Sequence, residues 1–393
     1  MNDQTKIRLP RNVWILTVSQ ALILSVSSMV VFVGGLVGAQ LAPLENLATL
    51  PVASIVVGTA VTIPPVTFLM NKIGRRRSFF IIGLYSVLAA ILASYAISIS
   101  NFYLFCFSTF LFGATYSCVM QFRFASMESV SEELIPKAAS MVLVGGIAAA
   151  FLGPEIAVFG KDLLKVEFAG SFILLAGLFV IAMFFLTGFK NPIPQETSNE
   201  STQRPLKEIF KQRVFWVSIL SATIGYAVMS FIMTATPVSM HVMDGHSLSH
   251  TKWVIQSHIV AMFLPSLITA WIIKKLGLSK MMITGLVAYL ICIAIAFAGK
   301  DLGNYWVSLI LLGVGWNFLF IGATTLLPQC YNPCERFKVQ AVNDFVIFGT
   351  QAVASLSAGW FIFAVGWKIL LLINLPFILF LSVVILKWKT KKV

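Results

Sequence analysis

Three ionisable side chains stand inside otherwise apolar runs of this sequence: Arg123 in Met120-Gln121-Phe122-Arg123-Phe124, Glu155 directly after Gly153-Pro154, and Asp344 in Val342-Asn343-Asp344-Phe345. A charge held in hydrocarbon costs about 2.5–3.5 kcal/mol on insertion scales, so such residues are retained for pairing, ion passage or substrate contact. Arg123 has Val119, Met120, Ser126 and Met127 at helical spacings of three and four, none of them acidic. Its partner must come from another helix, a lipid head group or substrate; the plainer alternative is an arginine reaching out to the membrane interface. Asp344 would lie about 8 Å into a helix beginning near Val339, and is the expected partner of Arg123. Its alternative role is to stabilise its own helix N-terminus. Glu155 is the candidate proton carrier, because a carboxyl moved between dry and wet surroundings takes up and releases a proton. The competing reading is a rim carboxylate facing water.

These residues must be positioned by membrane-spanning helices. The 393 residues are 58% hydrophobic and 11% charged, with a mean hydropathy of +0.91, whereas soluble domains run near 25% charged. Apolar runs long enough to cross a bilayer extend from Val13 to Gln40, Leu50 to Met70, Ser78 to Ser98, Phe102 to Phe124, Ala138 to Phe159 and Phe168 to Phe189. After a polar break they resume from Val214 to Thr236, Val254 to Ile273, Met281 to Ala298, Tyr305 to Leu327, Val339 to Val365 and Ile369 to Leu386. The break carries Asn191-Pro192, Pro194 and Pro205 and has the composition of a solvated linker. The expected organisation is a six-helix bundle over 1–189, a cytoplasmic linker over 190–213 and a second six-helix bundle over 214–393. The first run follows a short basic leader, is too long for a signal-peptide core, and is expected to remain as a helix.

Cytoplasmic loops hold the excess of Lys and Arg. With both termini inside, 22 of the 28 cations fall on the inner side and five on the outer, leaving Arg123 within a segment. The net charge of +13 is then a property of topology, and no basic domain remains for a nucleic acid. The halves also echo each other at an offset near two hundred residues. Asn71-Lys72-Ile73-Gly74-Arg75-Arg76-Arg77 matches Lys274-Lys275-Leu276-Gly277-Leu278-Ser279-Lys280, and Glu133 to Lys137 matches Glu335 to Lys338. Such repeats are the construction of secondary transporters.

The loop Thr67-Phe68-Leu69-Met70-Asn71-Lys72-Ile73-Gly74-Arg75-Arg76 resembles the signature of the major facilitator superfamily, and the resemblance extends over the whole chain. The family's opening Gly is here Thr67 and its Asp is Asn71, so the usual charge latch lacks its carboxylate. Thr109, four residues before Gly113, stands where proton antiporters of the family carry Arg. Gly145-Gly146 and Gly153-Pro154 partly resemble the antiporter glycine–proline motif. The resemblance implies an all-α fold of twelve transmembrane helices in two pseudo-symmetric bundles. It also implies a cavity lined by the first, fourth, seventh and tenth helices, which places Gln20, Tyr116, Gln121, Tyr226, Trp316 and Asn317 as candidate substrate contacts, each alternatively a packing residue.

No Gly-x-x-x-x-Gly-Lys-Ser/Thr occurs, so energy would come from a gradient rather than a nucleotide. No cofactor is expected, and no clustered nucleophile and base suggests an enzyme. The stretch Met240-His241-Val242-Met243-Asp244-Gly245-His246, with His250 and His258, has metal-binding residue types but no recognised ligand spacing, so no metal is assigned. Cys330 and Cys334 could face one another only if a helix continued through Pro333. The reading is a monomeric carrier in the cytoplasmic membrane that moves a small molecule with protons, outward first. Uptake of a metabolite or a metal chelate such as a siderophore is the alternative, and a receptor that no longer transports is the third.

Overall fold

Residues 9–44, 47, 50–191 and 204–388 are described by the computed structural model, and they contain helices and no strand. The spans are α1 (Arg11–Leu41), α2 (Leu50–Ile73), α3 (Arg75–Ser98), α4 (Phe102–Met120) with the short α5 (Phe122–Met127), α6 (Ile135–Gly160) and α7 (Ala169–Thr187). A single turn, α8 (Leu206–Ile209), leads into α9 (Arg213–Pro237), α10 (Leu248–Phe263), α11 (Ser266–Leu276), α12 (Leu278–Ala298), α13 (Leu302–Leu326), α14 (Arg336–Leu372) and α15 (Leu375–Lys387). Among the described residues, ten helices are long and apolar enough to cross a membrane, eleven if the bent pair α10–α11 is one span. The stretch of α14 before Gly366, polar at Gln340, Asn343 and Asp344, completes the set of twelve seen in the sequence. The protein is a multi-pass membrane protein.

Besides the interruption of the twelfth run at Ile373-Asn374, between α14 and α15, three boundaries differ from the expected runs, each for a local reason. The fourth run is interrupted at Gln121, where the backbone leaves the helix for one residue. The eighth run is broken beside Pro265, where α10 and α11 meet at 45°, because proline removes a helical hydrogen bond and crowds the preceding turn. The eleventh and twelfth runs join through Gly366, whose φ of +76° is a left-handed turn that glycine adopts without strain.

The internal repeat is visible in backbone geometry. Gly74 (φ 81°, ψ 161°) and Gly277 (φ 80°, ψ 159°) start α3 and α12 in the same conformation. The 3-10 turns Glu132–Leu134 and Pro333–Glu335 lead into α6 and α14 alike. Pro64 and Pro65 within α2 stand about two hundred residues before the Pro265 bend. In the first half α1 packs on α6, α2 on α4 and α3 on α7; in the second α9 packs on α14 and α13, and α12 on α13.

Glycine sets the closest crossings. A Cβ on Gly58 or Gly113 would fall onto the other helix's backbone, so α2 and α4 touch main chain to main chain. Gly145 and Gly153 both face α1, against Thr17, Gln20, Ser25 and Met29, and the Ser28 hydroxyl donates to the Ala149 carbonyl at 2.6 Å. Small residues allow this approach where lipid offers no hydrophobic drive. The glycines that resemble the antiporter motif are thereby engaged in seating α6 on α1.

Candidate functional site

The loops at one end of the molecule are tied together: Asn12 donates to Ser129 Oγ and to the Lys190 carbonyl, and Arg204 reaches Glu335. This is the end rich in Lys and Arg, called here the basic end. One polar layer ties the linker to the second half, two more close this end between the two halves, and an aromatic layer lies above them.

In the lowest layer the Arg204 guanidinium donates to both oxygens of the buried Glu335 at 2.9 and 2.7 Å, and its backbone N–H donates at 2.8 Å. Glu335 also caps the 3-10 turn by accepting from the Asn332 N–H. Hydrogen bonding from Arg204 outweighs burial and holds the Glu335 carboxyl down at about 2, from 4.5. A depressed carboxylate stabilises the fold above its unfolded value and loses that contribution as pH falls through the folded one. The clamp should therefore be intact above about pH 4.5 and fade towards pH 2. Glu335→Gln should remove this acid-sensitive component, read as a melting temperature that falls less between those pH values than that of native protein, with Asp244→Asn as a parallel control.

In the middle layer Arg75, fully buried, donates through Nε and Nη2 to Glu128 at 2.8 and 2.6 Å and through Nη2 to Gln340 of α14 at 2.8 Å. Burial opposes ionisation of Glu128, but the Arg75 charge and hydrogen bonds, with Arg336 and Gln340, hold its carboxyl below the ordinary value. Asn71, where the family's motif carries Asp, is exposed, and the carboxylate that Arg75 engages is that of Glu128. Gly74 lets the loop turn against Asn191, whose side chain accepts from the Arg76 N–H at 2.9 Å, while the Arg76 guanidinium binds the Thr187 carbonyl.

In the upper layer Arg123 Nη2 donates to Asp344 Oδ1 at 2.5 Å, with the two side chains 2% and 0% exposed. Asp344 also accepts from Gln121 Nε2 at 2.6 Å and Asn343 Nδ2 at 2.9 Å. Gln121 and Arg123, on either side of the junction of α4 and α5, both reach Asp344 of α14. The Arg123 guanidinium lies over the rings of Phe124 and Phe320, 4.6 and 4.4 Å from their centroids, a contact that offsets part of the cost of burying the cation. Arg123 Nε and Nη1 have no protein acceptor.

The aromatic layer joins Trp316 stacked on Phe320 at 4.9 Å, Tyr226 edge-on to Trp316 and Phe320 at 5.1 Å each and to Phe348 at 5.3 Å, and Tyr116 edge-on to Phe348 at 5.9 Å. Tyr116 thus crosses from the first half to the second. At 1.5 Å per residue, Trp316 and Tyr226 lie roughly 15–20 Å from the basic end, near the middle of a bilayer. Trp316 is buried, and its Nε1 has no protein acceptor.

Three candidates stand elsewhere. Asn317 is fully occupied in pinning the α10–α11 bend: its Nδ2 donates to the Met262 carbonyl and Ser266 Oγ at 2.7 Å each, and its Oδ1 accepts from Thr269. Gln20 is buried against Gly145 with no donor for its Oε1. Glu155 is not buried between helices. It is exposed about 30 Å along α6, on the helical face of Phe151, Val158 and Phe159, which are 52%, 59% and 79% exposed. A row of exposed large apolar side chains is a lipid-facing surface, and the face towards the second half carries Gly146 against Phe263.

Neither soft-metal reading finds a site. Asp244 accepts from Lys300 Nζ and from Tyr305 Oη, both at 2.6 Å, so its oxygens are already used; the side chain of His241 lies outside the described residues. No group of three potential ligands occurs among the described residues. Cys330 ends a 3-10 turn and Pro333 opens another, so Cys330 and Cys334 are not neighbours on one helix. Thr109 is buried and bonded to the Cys106 carbonyl within its own helix.

The sequence profile of the Major Facilitator Superfamily matches residues 13–250 and 245–393. The riboflavin transporter RfnT of Brucella anthropi is 38% identical over 395 residues, covering 100% of this chain and 98% of that protein. The uncharacterised MFS-type transporter YddS of Bacillus subtilis is 29% identical over 350 residues, 83% of this chain and 79% of its own. Among solved structures, the human organic anion transporter MFSD10 superposes with a TM-score of 0.77 at 12% identity, over 95% of this chain and 99% of its own. An outward-facing bacterial homologue of ferroportin does so with a TM-score of 0.71 at 16% identity, over 96% and 99%. At those identities the likeness speaks for the fold.

Proposed function

The chain belongs to the Major Facilitator Superfamily and is a transporter, and we propose that it carries riboflavin, or a flavin close to it, into the cell by alternating access coupled to protons. The observation that carries this reading is the full-length 38% identity to a riboflavin transporter. The aromatic layer is its chemical counterpart, because Trp316, Phe320, Tyr226 and Phe348, here buried against one another, would present ring faces to a flat tricyclic solute once the layer parts. Uptake is preferred to export because the antiporter pattern is incomplete: Thr109 stands uncharged where antiporters carry Arg, and Gly145 and Gly153, which resemble their motif, seat α6 on α1. The two halves, 1–189 and 214–393, would rock about the central layer. The three polar layers at the basic end would be the gate facing the cytoplasm, with both termini inside and the protein in the cytoplasmic membrane as a monomer.

The test is uptake of labelled riboflavin by riboflavin-auxotrophic cells expressing the chain, followed by flux into proteoliposomes with the purified protein. Saturable uptake that excess unlabelled riboflavin competes away is expected. Flux no greater than in protein-free vesicles, in either direction, would remove riboflavin as the substrate.

A further inference from the structure

The central layers hold donors that the protein leaves unused. Arg123 Nε and Nη1 and Trp316 Nε1 are buried on helices that face one another across the two halves, and none has an acceptor. A buried donor left without a partner is costly, more so when charged. The Asp344 pair accounts for one edge of the Arg123 guanidinium, but its other N–H groups and that of Trp316 satisfy nothing else in the protein and are available to a ligand. All three adjoin Phe320: its ring lies against the Trp316 ring and against the Arg123 guanidinium. Planar groups therefore already stack here, and the free N–H groups lie at the edges of that stack.

We infer that Arg123 and Trp316 form the recognition site for the acceptor edge of a planar heterocycle, in a flavin the carbonyl-bearing pyrimidine-dione ring, with the tricycle laid against the aromatic layer. This deepens the flavin reading and rests on it. Asp344 engages only Nη2 of Arg123, so the guanidinium can accept a ligand on its remaining N–H groups before the ion pair opens. Carbonyl oxygens that draw Arg123 towards the central layer loosen its hold on Asp344, so that substrate itself unlocks the basic end. The ribityl chain has no part in this contact, and a ring without it is recognised in the same way.

The experiment measures quenching of flavin fluorescence by purified protein in detergent, with riboflavin and with lumiflavin, which has the ring system and no ribityl chain. Arg123→Lys keeps the charge opposite Asp344 but loses the planar set of donors. Trp316→Phe keeps a ring and loses the N–H. Arg123→Lys should raise Kd at least tenfold, and by the same factor for both flavins, as expected for a charged hydrogen bond. Trp316→Phe should raise it severalfold, and Asn71→Ala should leave it unchanged. Melting curves check folding, and Trp316→Phe carries the test where Arg123→Lys does not fold. If native protein binds riboflavin and both variants bind it within twofold, the recognition site is wrong while the substrate stands. A loss confined to riboflavin, with lumiflavin unaffected, also overturns it. If native protein quenches neither flavin, the substrate reading falls and this inference with it.

Discussion

Arg123→Ala and Asp344→Ala are each expected to lose about 3–5 kcal/mol of stability, while the double substitution loses markedly less than their sum. The pair is fully buried, and its members come from opposite halves of the chain. Taking either away leaves the other charged in a setting that water does not reach. Removing both leaves a smaller, uncharged gap. The two single losses should also be unequal. After Arg123→Ala, Asp344 keeps hydrogen bonds from Gln121 and Asn343, whereas after Asp344→Ala the guanidinium keeps only the faces of Phe124 and Phe320. Asp344→Ala is therefore the more damaging change. Thermal or denaturant unfolding of the three variants in one detergent checks this, and simply additive losses would show that the pair is not an energetic unit. Flux follows a different pattern: the double variant recovers stability but not transport, because the donor proposed to bind substrate is gone.

The helices were legible because a bilayer imposes a length and an apolar composition that few other structures share. Every apolar run from Val13 to Leu386 became helix, and the repeat of Gly74 at Gly277 carried through to φ and ψ. Arg123 and Asp344 were legible for the complementary reason, since a charge in such a run is rare and requires a partner. Glu128 was missed. It stands four residues beyond the apolar run that ends at Phe124 and looks like an ordinary loop carboxylate, and only the folded structure shows that it binds Arg75 at the start of α3. Phe320 and Phe348 were missed because phenylalanine is unremarkable in a membrane helix; the spacing of four between Trp316 and Phe320, which places both on one face, was the available signal. Glu155 shows the converse. Its apolar neighbourhood suggested burial, yet apolar neighbours along a membrane helix are as consistent with lipid as with core, and sequence distance does not separate the two.

Under the proposed proton coupling, that distinction favours Asp344 over Glu155 as the carrier, and Asp344→Asn is expected to abolish accumulation driven by a pH gradient while leaving substrate exchange at equilibrium largely intact. A coupling group must exchange surroundings during the cycle. Glu155 lies on an exposed apolar face of α6 away from the second half, where rocking of the halves changes little around it. Asp344 lies on α14 at the seam, and its cationic partner belongs to the other half. Opening the basic end withdraws Arg123 and Gln121 together and leaves the carboxylate with Asn343 alone from its present partners. For a proton to move inward with substrate, one arriving from the outer side would neutralise Asp344 and free Arg123, which lets the basic end open; the opened, hydrated site would release it to the cytoplasm, and Arg123 would pair with the carboxylate again as the gate closes. One proton would then cross per cycle, carried by the residue that also reports whether the gate is shut. Asparagine has the shape of the protonated acid, so the gate can still open and exchange labelled for unlabelled riboflavin, but no proton moves with it. The measurement is flux into proteoliposomes with and without an imposed pH gradient, for native protein, Asp344→Asn and Glu155→Gln. A drop of at least tenfold in gradient-driven accumulation is expected for Asp344→Asn, about 1.4 kcal/mol of lost driving force or more by the tenfold equivalence, with Glu155→Gln close to native. Full accumulation by Asp344→Asn would place the proton elsewhere, and its loss in Glu155→Gln alone would return the role to α6.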